Sequence, residues 1–320
     1  MIAQILKKIL MVIPKLLVVS IILFILINVL PGDAAMGMVA DDASPEYYLE
    51  LKAKMGLDRP AIVRYMEWLT GMLHGDFGTS FINGQPVSAI IGQRLPCTLE
   101  LTILAILISI IIAIPVGILS AVKRNSPIDV GTSVLSMIGV AMPSFWLGML
   151  LIILFSLKLR WLPASGYVAP SKNLVENIRK MIMPALAVGI AFTATVMRQT
   201  RSALLEVLGQ DYVLTARAKG LKEKVVIWKH ALRNALIPVI TVISMQIGRL
   251  IGGVIVTETV FVLPGMGNAI ADAILSRDYP VVMGMIMVVA SVVIFINMFV
   301  DVLYIFIDPR ISHGSRRSRR

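Results

Sequence analysis

Residues of the types that usually carry chemistry are sparse and scattered in this 320-residue chain. The three histidines, His74, His230 and His313, form no H-x-x-x-H pair, and one cysteine, Cys97, excludes an internal disulfide or a cysteine-built metal site. No G-x-x-x-x-G-K-[ST] occurs, and no lysine is followed by Ser or Thr, so the loop that cradles nucleotide phosphates is missing. H-E-x-x-H and G-x-S-x-G are missing too. Ionisable residues inside long apolar runs are few: Glu100 at the start of one, Arg249, Glu258 near an end, and Asp301. An arginine at mid-membrane costs roughly 2.5–3.5 kcal/mol on insertion scales, so Arg249 is a functional candidate by default. Two roles stay open for it. It attracts a carboxylate of a passing ligand, or it pairs structurally with Glu258 or Asp301. Glu258, Met142 and Phe145 are candidates for the same path, with plain packing as the alternative for Met142 and Phe145.

The elements around these residues read as membrane. Hydrophobic residues make up 57% of the chain and charged residues 15%, against about 45–50% and about 25% in soluble domains. A spanning helix needs about 20 mostly apolar residues. Six stretches qualify: Ile9–Leu30, Thr98–Val122, Val134–Leu157, Met181–Met197, Ala235–Val256 and Val281–Ile307. The fourth is short and contains Pro184. The first has an apolar region too long for a cleaved secretory signal, and is expected to remain as an anchor. With the N-terminus inside, the inside segments hold eighteen basic and five acidic residues, and the outside segments hold eleven of each. The net charge of +11 is then mostly an orientation signal rather than a nucleic-acid surface. The segment Lys158–Lys180, with five basic residues on the assigned outside, runs against this trend.

The expected organisation is an anchor helix over 1–30, an extracytoplasmic segment over 31–97, a five-helix core over 98–307 and a basic tail over 308–320. In the second segment Ser44-Pro45-Glu46 predicts a capped helix start and Gly56 its stop, and a further helix is expected over Ala61–Leu73. Within the core, 198–237 is a polar, basic insert, too polar to span a bilayer. Gly209 allows a break, Asp211 is placed to cap a short helix through Lys219, and Gly220 to end it. A second helix is expected over Lys222–Leu236, with Val225, Trp228, Leu232 and Ala235 on one face and Lys222, Lys229 and Arg233 on another. Pro238 would begin the fifth span. Tyr212, Leu214 and Ala216 are the apolar residues expected to enter a groove on a soluble partner. An amphipathic loop lying on anionic lipid is the plainer alternative.

The run D-Y-V-L-T-A-R-A-K-G-L from Asp211 to Leu221, followed by H-A-L-R-N-A-L-I-P from His230 to Pro238, resembles the signature loop of bacterial ABC importer permeases. More closely it is similar to the dipeptide/oligopeptide/nickel branch. Other stretches agree, among them Leu30-Pro31-Gly32-Asp33, His74-Gly75-Asp76-Phe77-Gly78-Thr79-Ser80, Pro143-Ser144-Phe145-Trp146 and Arg277-Asp278-Tyr279-Pro280. They spread over about residues 5–311. The wider importer consensus places E-A-A, three residues, Gly, nine residues and I-x-L-P. Anchored on Gly220, this chain matches it only at Ala216, Gly220 and Leu232, which points to the peptide-type branch.

The resemblance implies an all-α integral membrane protein with about six spans, of the type I ABC importer permease kind. It implies a multi-pass subunit of the bacterial inner membrane with both termini cytoplasmic. Its partners would be a paralogous permease, two cytosolic ATPase subunits and an extracytoplasmic substrate-binding protein. No cofactor is expected on this chain, because ATP and Mg would bind the ATPase subunits. The resemblance assigns ATPase coupling to Asp211, Tyr212, Leu214, Thr215, Ala216, Arg217, Ala218, Lys219, Gly220 and Leu221. Di- or oligopeptides are the substrates it implies first, with glutathione, chelated nickel or oligosaccharides moved by similar permeases. A secondary transporter would be expected to show inverted repeats, and a membrane enzyme a catalytic constellation. Neither is found.

Overall fold

In the computed structural model the described residues are 6, 8–29, 35–36 and 44–307, and the side chains of 247–249, 251–253, 300–301 and 303–307 are not described. The tail 308–320, the motif at 30–33 and the side chains of Arg249 and Asp301 therefore lie outside the described residues. Among the described residues the structure is helical, apart from an isolated bridge between Thr79 and Pro86. Contacts divide the chain into two compact units: Met1–Thr98 with Pro264–Met298, and Leu99–Leu263 with Phe299–Arg320.

The first unit begins with α1 (Val12–Val29), an almost wholly apolar helix. Next come α2 (Pro45–Lys54) and α3 (Ala61–Leu73), both where local signals place them. Ser44 Oγ accepts from the Tyr47 N–H at 3.3 Å, Pro45 needs no partner for its missing N–H, and Gly56 turns the chain at φ +64°. Two motifs far apart in sequence meet here. Asp278 is buried, accepting the Ser80 hydroxyl at 2.5 Å and the Phe81 N–H at 3.0 Å. This anchors the loop after His74 on the start of α11 (Tyr279–Ile307), which follows α10 (Met266–Leu275). Leu23, Val87, Met266, Ile270, Val282 and Met285 form part of this unit's core.

Helix α4 runs from Val87 to Val122. It starts well before the expected Thr98, and its 36 residues rise about 54 Å, more than the roughly 30 Å of a hydrocarbon core. The third expected span is not one rod. It is α5 (Pro127–Ala141) and α6 (Ser144–Leu151, continued by a wide π turn over Ile152–Lys158), bent by 108°. The cause is local. Pro143 disfavours helix in the residue before it, and Met142 is extended at ψ 122°.

Helix α7 (Leu174–Leu208) corrects the fourth span, which is 35 residues long and accommodates Pro184. Its mean hydropathy of 1.6 is low because 67% of its apolar window is buried inside the chain rather than facing lipid. Its neighbours approach closely. A Cβ on Gly189 would fall 2.6 Å from Ser109 Oγ, and one on Gly117 would fall 2.8 Å from the Met197 carbonyl. Ser109 Oγ donates to the Gly189 carbonyl at 3.0 Å, a polar link between helices that small residues permit. After α8 (Asp211–Ala218), helix α9 (Leu232–Val260) holds Pro238 in its interior rather than at its start. Among the described residues five helices are long and apolar enough to cross a membrane, and the bent pair α5–α6 makes six when counted as one span.

Candidate functional site

The polar insert folds as a short helix between two long ones. Helix α7 ends at Leu208, and Gly209 and Gln210 make the break. Gln210 occupies the cap of α8 without a side-chain cap bond, and Asp211 is the first helical residue, not the cap expected of it. There its carboxylate still complements the positive end of the helix dipole. Thr215 Oγ1 donates to the Asp211 carbonyl at 2.9 Å. At the other end Gly220 stands at φ +76°, a conformation that favours glycine, and donates to the Arg217 carbonyl at 2.9 Å while Leu221 donates to Ala216 at 3.4 Å.

The short helix has two faces. Val213 and Ala216, three residues apart, are buried against the rest of the chain, and Val213 is wholly inaccessible. Ala216 therefore turns inward and is not part of the surface expected to enter a partner's groove. Val213 was missed, although its i, i+3 spacing to Ala216 was the available signal. Tyr212, Leu214, Thr215, Arg217, Ala218, Lys219 and Leu221 are exposed. Side chains fix the helix in place. Asn234 Nδ2 donates to the Tyr212 hydroxyl at 2.8 Å, and the Arg217 guanidinium forks onto Glu223 at 2.6 and 3.2 Å. The hydrogen bond to Glu223, and then its charge, raise the Arg217 pKa further above its ordinary value, so this cation does not titrate in any working range.

The return segment departs from ordinary helix. A turn over Glu223–Val225 leads into a π turn over Val226–Ala231 and then α9. The buried residues report it: Val226 to Ala231 and Ile227 to Leu232 are five apart, whereas Ala231, Ala235 and Val239 are four apart. A wide turn takes an extra residue per repeat. This overturns the expected face, since Leu232 and Ala235 are buried but Val225 and Trp228 are exposed. Lys222, Lys229 and Arg233 are exposed, as is Lys224.

Of the candidate pathway residues, Arg249 has a side chain outside the described residues. Glu258 is wholly buried on α9, Met142 is half-buried at the bend, and Phe145 is exposed on α6. A cavity of about 320 Å³ lies between α5–α6, α7 and α9, lined by Val140, Ser144, Phe192, Thr195, Gln246 and Leu250 among others. Neither Met142 nor Phe145 lines it. Among the described residues no group of three His, Cys, Asp or Glu side chains is placed to hold a metal ion.

Sequence reasoning also missed an ion pair between a buried carboxylate and a half-buried arginine. Asp129, in the first turn of α5, is 3% exposed. It accepts from Arg201 Nε at 2.5 Å and Nη2 at 2.8 Å, from Ser120 Oγ at 2.6 Å, and from the Asn125 N–H at 2.9 Å. Its partner Arg201 lies on α7, 72 residues away, and nothing local in the sequence joins the two.

Several long apolar helices, two of them joined through a short polar helix, define a multi-pass membrane protein. Residues 113–313 match the family of binding-protein-dependent transport system inner membrane components, and residues 1–102 match the N-terminal segment of such membrane components. The chain belongs to this family and is a permease component of a binding-protein-dependent transport system of the inner membrane. Among its relatives is a putative peptide transport system permease protein of Brucella suis biovar 1, 42% identical over 98% of this chain and 100% of the relative. The oligopeptide transport system permease protein AppB of Bacillus subtilis is 42% identical over 98% of this chain and 100% of AppB. The dipeptide transport system permease protein DppB of Escherichia coli is 40% identical over 98% of this chain and 99% of DppB.

Proposed function

We propose that this chain is one permease subunit of an ATP-driven importer of di- or oligopeptides, and that α8 is its coupling helix. The observation that carries the coupling role is the two-faced α8, stapled to its own chain by Val213 and Ala216 while Tyr212, Leu214 and Leu221 stay exposed. Basic residues surround that apolar patch, which suits a groove with an acidic rim. The peptide substrate is supported by the named functions of relatives matched over nearly their whole length.

The rest of the machine follows. A paralogous permease forms the other half of the path, and two cytosolic ATPase subunits dock beneath, one on each short helix. ATP and Mg bind those subunits, which fits the missing phosphate-cradling loop. Both termini face the cytosol, as the basic residues concentrate on that side. An extracytoplasmic binding protein delivers the peptide. Closure of the ATPase pair moves α8, and the attached α7 carries that motion into the bundle.

The test is uptake of labelled dipeptides into proteoliposomes holding the full complex. Wild-type complex should accumulate peptide and show substrate-stimulated ATP hydrolysis. Gly220→Glu should abolish both while still inserting in the membrane, and unchanged stimulated hydrolysis in that variant would sink the coupling role. Uptake of glutathione or chelated nickel in place of peptides would correct the substrate and leave the coupling role standing.

A further inference from the structure

The geometry points to Asp129 and Arg201 as a positioning latch, through which movement of α8 reaches α5 and the bend at Met142-Pro143. This rests on the coupling role proposed for α8. Arg201 lies seven residues before the end of α7, about 10 Å of helix rise. Only Gly209 and Gln210 separate that end from α8. A push on α8 therefore arrives at Arg201 through a short, stiff lever.

The contact at Arg201 is of a kind that transmits direction. A guanidinium forked on a carboxylate fixes both distance and orientation, where apolar side chains would slide. Asp129 is held from other sides by Ser120 Oγ and the Asn125 N–H, so it is rigid with respect to the turn joining α4 and α5. Asn125 itself stands at φ +61°, a left-handed turn conformation that asparagine tolerates. What Arg201 moves is thus the start of α5. The far end of α5 is the 108° bend, and Val140 and Ser144 on either side of it line the 320 Å³ cavity.

The pair is also placed to release. Beside it lies a second cavity of about 220 Å³, lined among others by Ser133, Ser136, Arg198 and Arg201. It gives a displaced guanidinium room for water and hydroxyl partners. A pair sealed in apolar packing would leave two unsolvated charges on opening, which is strongly unfavourable. The site thus has one well-defined closed arrangement and an accessible alternative.

The experiment uses the full transport complex in proteoliposomes, with Ala218→Cys on α8 to report cross-linking to the ATPase subunit. Arg201→Lys keeps the charge and loses the fork. Asp129→Asn/Arg201→Met removes both charges. Each should assemble, cross-link and hydrolyse ATP basally like the parent, while peptide taken up per ATP hydrolysed falls at least tenfold. Wild-type uptake per ATP in either variant would overturn the latch, since the pair would then only neutralise a buried charge. Failure of both to assemble would make the pair a folding element and equally overturn it. Failure to cross-link with the latch intact would instead remove the coupling role of α8, and the latch with it.

Discussion

Leu214 and Val213 are neighbours on α8 with opposite surroundings, and truncating each should separate docking from folding. Leu214 is 50% exposed and Val213 is 0% exposed. Full burial of a leucine contributes about 1.5–3 kcal/mol. Half of Leu214 is already covered, so docking into a partner's groove would add about half of that, roughly 0.8–1.5 kcal/mol. Leu214→Ala should therefore weaken binding of the ATPase subunit about four- to twelvefold, with little change in thermal stability. Val213→Ala removes two buried carbons, about 0.8 kcal/mol each, and with the residual cavity should lower stability by about 2 kcal/mol. The assay pairs titration of fluorescent ATPase subunit onto nanodisc-held permease with thermal unfolding of the same sample. The reasoning is refuted if Leu214→Ala binds within twofold of wild type, or if Val213→Ala weakens docking without lowering the melting temperature.

Other outcomes follow from single contacts. Gly117→Ala places a Cβ 2.7 Å from Thr200 Cβ, an overpacked helix contact that should destabilise by about 1–3 kcal/mol in a thermal melt. Asp278→Ala leaves the buried Ser80 hydroxyl and the Phe81 N–H without their acceptor. Each orphaned donor should destabilise by about 1–3 kcal/mol, and proteolysis should first open the loop after His74. Glu223→Gln breaks the Arg217 pair, whose side chains are 38% and 54% exposed. Its effect on stability should stay below about 1 kcal/mol and shrink further in high salt, measured by melting at two ionic strengths.

Much of the fold was legible where the signal is local. Ser44, Pro45 and Gly56 set the limits of α2, and Gly209 and Gly220 bracket α8, because caps and left-handed turns depend on a few adjacent residues. Spans were legible from apolar length, yet their ends were not. Helix α4 starts at Val87 because tertiary packing extends helices beyond their apolar windows. Helix α7 looked marginal because hydropathy measures affinity for lipid, and this helix is buried in protein instead. The break at Pro143 was not read from the sequence, where Val134–Leu157 looked like one span, although the proline was the available signal. In the candidate site, the presence and limits of the short helix were readable, and its inward face was not fully so, since Val213 and Ala216 differ little in type from Leu214. The Asp129–Arg201 pair joins residues that only the packing of α5 on α7 brings together.

The wide turn at Val226–Ala231 has a consequence for how this segment tolerates change. The wide turn absorbs one extra residue, which is how Val226 and Ala231 share the buried face at a spacing of five; deleting one residue there would restore the ordinary spacing of four and keep that face. The Tyr212–Asn234 hydrogen bond spans the turn and should survive such a deletion. Substitutions at exposed Lys224, Trp228 or Lys229 leave the direction of α8 as it is. In this stretch one residue can be lost within the wide turn, whereas the same loss in the regular helix of α9 would rotate all that precedes it by about 100°.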